Sequence, residues 1–180
     1  DKGLGDVYRK NIARLVNVVS MYQLYAGEES EPYQNSTNIL DKYILARLKQ
    51  LKKEVTEGFE GYELDKAFRP LEKFVDDLSV WYVRRSRERI KSDDKNVRDE
   101  VLGTLQYVLL ELSVIISPIM PFVAESIFQA IRPKVEMTES VHLLDWGNVT
   151  DLSVEESEVL EETEKVRNII SRILEERTNV

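Results

Sequence analysis

The 180 residues hold 42% hydrophobic side chains, enough for a proper core, and a formal net charge of −8. There is no cysteine, which excludes disulfides and thiolate metal sites. The single histidine, His142, makes a histidine-based metal site or a Ser-His-Asp triad an unsuitable reading. The longest apolar run, VIISPIMPFVA, is broken by two prolines and falls short of the roughly 20 residues that span a bilayer. A soluble, intracellular chain is therefore expected. The opening residues lack a Met and a leader pattern, and the last stop inside a helical pattern, as expected of a piece of a longer protein.

Helical periodicity dominates, and no segment shows sustained strand alternation. The first helix is expected over about 7–25, with Ile12, Leu15, Val16, Val19 and Tyr22 as its apolar stripe and Gly27 as its C-cap. The second opens at Asn38, an N-cap residue, and places Asp41 in its first turn. Ile44, Leu45, Leu48, Leu51 and Val55 carry its stripe to about Phe59, where two glycines stop it. The third is long, about 62–91, and Pro70 is expected to kink it by removing the bond to the carbonyl of Lys66. The fourth, about 96–116, is the most apolar, and Leu102, Leu105, Val108, Leu109, Leu112, Ile115 and Ile116 suggest near-complete burial. Pro121 starts a short fifth helix, about 122–131, in its first turn. Residues 138–148, TESVHLLDWGN, read as irregular or extended. Ser153 and Glu156 form a capping box for a last helix, with Val159, Thr163, Val166, Ile170 and Ile173 as a narrow stripe on an acidic, solvated rod. The fold class is all-α: an antiparallel bundle of about five helices plus a C-terminal helix. The expected division is a bundle over 1–150 and a connecting helix over 151–180.

Charge is unevenly placed. Residues 151–180 hold nine acids and four bases, whereas 78–91 hold five bases and one acid. On a helical wheel, Trp81 and Tyr82 share the core stripe of Phe74 and Leu78, so Trp81 is expected to be largely buried and its truncation to cost about 3–5 kcal/mol. Arg85 and Arg89 continue that stripe, while Arg84, Arg87 and Lys91 face the opposite side. Two readings stay open for Arg85 and Arg89: partly buried pairs with carboxylates of neighbouring helices, or an end of the bundle aimed at phosphates and bases. In an up-down-up-down bundle the same end would collect Tyr22, Gln23 and Tyr25 from helix one, and Lys95, Asn96 and Arg98 from the N-terminus of helix four. Arginines beside tyrosines suit a single-stranded RNA loop. Arg167, on the acidic rod, is expected to be indifferent to RNA.

No glycine-rich phosphate loop is present. Asp76–Asp77 read as a solvated helix face, and His142 beside Asp145 has no accompanying nucleophile, so no catalytic residue and no metal ligand is assigned.

The run DDLSVWYVRRSRERIK resembles the Asp-Leu-Ser-x-Trp-Tyr-x-Arg-Arg-Ser-Arg segment of isoleucyl-tRNA synthetases. DVYRKNIARLVNVV, LDKYILARLKQLKKEV, ISPIMPFVAESIFQ and ESVHLLDW resemble further parts of that family's anticodon-binding helical domain, in the same order. The resemblance covers about residues 5–175. The equivalent valyl or leucyl domain is the near alternative, and a protein–protein interaction bundle, marked by an exposed apolar patch, the distant one. Three positions depart from the family pattern: Val80 stands where a polar residue is usual, Pro70 interrupts helix three, and Gly147 follows LLDW where proline is common. The resemblance implies a domain that docks a tRNA anticodon stem-loop in the cytoplasm beside the catalytic domain of its parent chain. It implies no cofactor here; ATP and Mg would belong to the parent's catalytic domain, and this chain alone would not aminoacylate.

Overall fold

The computed structural model describes residues 11–26, 31–133 and 138–178. Its elements run α1 (Ala13–Tyr25), α2 (Ile39–Glu60), α3 (Leu64–Asp76), a π-helical segment (Asp77–Val83), α4 (Arg87–Ile90), α5 (Lys95–Ile116), α6 (Pro121–Ile131), a 3-10 turn (Val141–Leu143) and α7 (Val154–Thr178). No strand occurs among the described residues. The all-α expectation holds. The expected start of helix one at 7–10 and its cap at Gly27 lie outside the described residues.

Local chemistry sets the helix starts. Asn38 accepts a hydrogen bond from the Leu40 amide at 3.0 Å and opens α2. Asp94 accepts from the Asn96 amide and opens α5 at Lys95, one residue before the expected start. Pro121 sits in the first turn of α6. The capping box of α7 closes in both directions: Ser153 N donates to Glu156 Oε2 at 2.6 Å, and Glu156 N donates to Ser153 Oγ at 3.1 Å.

The core lies where the stripes meet. Ile44, Leu51 and Val55 of α2 and Phe74 and Leu78 of the third segment are buried with Leu102, Leu105, Leu109 and Leu112 of α5. α5 is the central helix, its apolar residues from Val101 to Ile116 buried on several sides while its first turns carry most of its charged residues. On α1 the inward face is Leu15, Val18, Val19 and Tyr22, while Val16 is 50% exposed. That rotates the expected stripe: Val16 and Val18 are 200° apart at 100° per residue, and α5 and α6 take the Val18 side.

The long third helix is not one α-helix. α3 runs through Pro70, and the departure from α-geometry comes later, in the π-helical stretch Asp77–Val83 and the turn at Ser86. α2 and α3 approach closely at Gly58, where an added Cβ would meet Ala67 N at 2.6 Å and Ala67 Cα at 2.8 Å. Alanine is favoured over glycine in a helix by about 1 kcal/mol, but here a backbone would have to move. Gly58→Ala is therefore expected to lose about 1–3 kcal/mol in urea denaturation; a gain in stability would show that the two helices part freely. Gly147 has φ +72°. Glycine adopts that left-handed backbone without strain, whereas proline, with φ locked near −65°, cannot.

α7 lies across α2. Lys53, Lys49 and Lys42 of α2 pair with Asp151, Glu156 and Glu155 around its start. Val159 of α7 is buried, and two turns on Arg167 reaches Tyr43 and Asp77. Beyond Arg167 the helix is largely exposed, Ile170 being half-buried and Ile169 and Ile173 open to solvent; Val166, just before it, is exposed as well.

Candidate nucleic-acid interface

The basic run of residues 84–91 follows the π-helical segment and splits into two sets. Arg84, Arg87 and Lys91 are exposed and form no ion pair with any described residue. Lys95 and Asn96, at the start of α5, are exposed too, and Lys95 is likewise unpaired among the described residues. Arg98 is half-buried and donates to the carbonyl of Ser92 at 3.3 Å.

Arg85 and Arg89, which continue the same stripe on the wheel, have different fates. Arg85 is exposed, and its Cζ lies 3.9 Å from the centroid of the Trp81 ring one turn back. Arg89 turns inward and binds Asp41 with both terminal nitrogens, at 2.8 and 2.7 Å. It also reaches Glu100 at 3.3 Å. Such a fork-to-carboxylate pair suits guanidinium geometry. For Arg89 the structure has the carboxylate-pair reading, not a free phosphate ligand.

Asp41 is the hub of that end. It is fully buried and also accepts from Tyr82 Oη at 2.8 Å and Ser36 Oγ at 2.6 Å. Burial is the larger pull on Arg89 and would lower its pKa, but the bonds and charge of Asp41 outweigh it and raise it overall. Sequence reasoning saw Asp41 only as a first-turn acid favoured by the helix dipole.

A second hub was also missed. Asp77 was read as solvated, yet it is 1% exposed. Its Oδ2 accepts from Arg47 Nε at 2.9 Å, and its Oδ1 takes Arg167 of α7, which also donates to Tyr43 Oη at 2.9 Å. Arg167 is thus no neutral position on a solvated rod. Trp81, beside these groups, is half-buried; Tyr82 is the aromatic that is sealed in the core. Truncating Trp81 should accordingly cost less than a buried tryptophan would.

Both tyrosines near the hubs, and Tyr107 on α5, are held neutral. Burial first, then the charge of Asp77, raises Tyr43 to about 12 against the opposing pull of Arg167 and Arg47. Burial, then Asp41, raises Tyr82 well above its ordinary value. Burial, then Glu111, raises Tyr107 to about 12. In the unfolded chain tyrosines ionise near pH 10. Above that pH the unfolded state binds fewer protons than the folded one, so stability falls with rising pH. The urea midpoint is expected to be flat just below about pH 10 and to fall from there towards pH 12, less steeply in Tyr43→Phe. A midpoint rising over that window would contradict the burial of these phenols.

The helix-one residues do not complete the cluster. Tyr22 is 4% exposed in the core and cannot stack on a base. Gln23 is exposed and donates to the carbonyl of Ala130 at the end of α6, and Tyr25 is half-buried. The start of α5 is already occupied by its own carboxylate cap, Asp94, so its dipole is not an open anion site. Another lysine group, around a cavity of about 600 Å³ between α2, α5 and α7, is neutralised: Lys42, Lys49 and Lys52 pair with Glu155, Glu156 and Glu111. His142 and Asp145 are exposed. No group of acids and histidine suited to a metal occurs among the described residues, and no described helix is long and apolar enough to cross a membrane.

The fold and site thus define, among the described residues, an all-α bundle with a basic segment in which Arg84, Arg85, Arg87 and Lys91 are exposed and unpaired. Residues 41–179 match the family described as the anticodon-binding domain of tRNA ligase, and the chain belongs to that family. It is similar to isoleucine–tRNA ligases: 34% identical over 174 residues to that of Nocardia farcinica, covering 97% of this chain. It is 38% identical over 164 residues to that of Clostridium novyi and 35% over 156 residues to that of Protochlamydia amoebophila, covering 86% and 84% of this chain. The chain spans 15–16% of the length of these relatives.

Proposed function

We propose that this chain docks the anticodon arm of an isoleucine tRNA as one domain of a longer cytoplasmic isoleucine–tRNA ligase. Other parts of that ligase would supply the catalytic site, with ATP and Mg; this chain supplies tRNA recognition. The observation that carries the reading is the set Arg84, Arg85, Arg87 and Lys91: exposed, free of ion pairs with described residues, and on one short stretch. Guanidinium groups make forked bonds to phosphate oxygens and stack on bases. The isoleucine relatives support the choice of tRNA. Lys95, Asn96 and Arg98 extend the same surface along α5; Arg89 contributes by holding the segment to α2, and Gln23 and Tyr25 are left to the rim.

Binding of a labelled isoleucine tRNA anticodon stem-loop, followed by fluorescence anisotropy across a salt series, tests this. Four phosphate contacts should give a slope of log K against log[salt] of roughly −3 to −3.5. A slope near zero, or equal binding of an unrelated hairpin, would count against anticodon-arm recognition.

A further inference from the structure

We infer that Arg167 is a positioning residue for the RNA-facing surface: the C-terminal helix, through this one side chain, sets Trp81 and with it Arg85. The inference rests on the anticodon-arm reading above. Three observations meet at this point. Asp77 already has Arg47 on Oδ2, so its charge is matched without α7; Arg167 adds a second guanidinium beyond simple neutralisation. The Arg167 Cζ lies over the Trp81 ring, 5.1 Å from its centroid, while Arg85 lies over the same ring at 3.9 Å. The Trp81 Nε1 is buried and finds no acceptor among the described residues. No hydrogen bond therefore fixes the indole; its plane is set by packing and by the two cations.

Arg85 in turn has no ion pair to any described residue, so the ring is what orients it. Two cations drawn to one ring also repel each other. Arg167 is pinned to Asp77 and Tyr43, so the movable partner is Arg85, which is biased outward where an anion would complete it. Docking of α7 and the geometry of the basic segment are thereby linked.

The test uses the 180-residue chain with Trp146→Phe, which leaves Trp81 as its one tryptophan emitter. Arg167→Gln keeps the Arg47–Asp77 pair and should keep its helix content by circular dichroism. Its Trp81 emission should shift to the red and become more open to acrylamide quenching. Its affinity for the anticodon stem-loop should fall about 5–10-fold, with Arg167→Lys between it and the parent. In an Arg85→Ala background the same change should cost less than about 2-fold, because the effect acts through Arg85. Arg172→Gln, an exposed change of equal charge on α7, should also cost less than about 2-fold. Equal losses from Arg167→Gln and Arg172→Gln, or a full additional loss in the Arg85→Ala background, would overturn the positioning role while leaving the anticodon-arm reading intact. Failure of the parent chain to bind the stem-loop at all would remove that reading, and this one with it.

Discussion

Asp77→Ala is expected to lower the unfolding free energy by about 3–5 kcal/mol, the range for breaking a buried ion pair by removing one partner. The size follows from what is left behind. Arg47 is 8% exposed at its side chain and would keep its charge with no carboxylate on its Nε. Arg167 would lose its Asp77 contact and keep its bond to Tyr43 Oη, while the lysine pairs of α2 still hold the start of α7. Asp77→Asn should cost less, since the amide oxygen can still accept one of the two bonds. Urea denaturation with linear extrapolation measures both. A loss under 1 kcal/mol for Asp77→Ala would mean that Arg47 escapes to water, against the burial seen for it.

Arg84→Glu with Arg87→Glu is expected to weaken stem-loop binding about 100-fold at ~50 mM salt, each reversal counting for roughly a tenfold loss or 1.4 kcal/mol. The salt slope should become shallower by about 2, one for each phosphate contact removed. Both side chains are exposed and unpaired among the described residues, so the urea midpoint should stay within about 0.5 kcal/mol of the parent. Unchanged binding by a folded double variant would place the RNA surface elsewhere. Arg89 cannot serve in this experiment. Arg89→Glu would set a third carboxylate against Asp41 and Glu100, and the buried Asp41 would lose its counter-charge. Loss of binding there would report unfolding.

The contrast between Arg85 and Arg89 marks how far the sequence could be read. Wheel geometry put both on the stripe of Trp81 and Tyr82, and both do lie there. One meets the aromatic ring of its own helix, four residues away; the other meets a carboxylate 48 residues away in sequence. Caps at Asn38 and Ser153, the Pro121 start of α6 and the burial of α5 were legible because each depends on neighbours within one or two turns. The resemblance to anticodon-binding domains was legible for a related reason, since it rests on contiguous runs of residues.

Tertiary packing alone decided the rest. Which valine of α1 faces inward depended on where α5 and α6 lie. The sealing of Asp41 and Asp77, the half-exposure of Trp81 and the docking of Arg167, 90 residues from its carboxylate, depended on which helices cross. A charged side chain looks the same in sequence whether it is solvated or buried. What distinguishes the two is a counter-charge at hydrogen-bonding distance, and helix periodicity carries no information about a partner on another helix. The sequence by itself determined the helices, their order and the location of the positive charge; the crossing of α2 by α7 and the two buried aspartates decided which of those charges remain free to meet a phosphate.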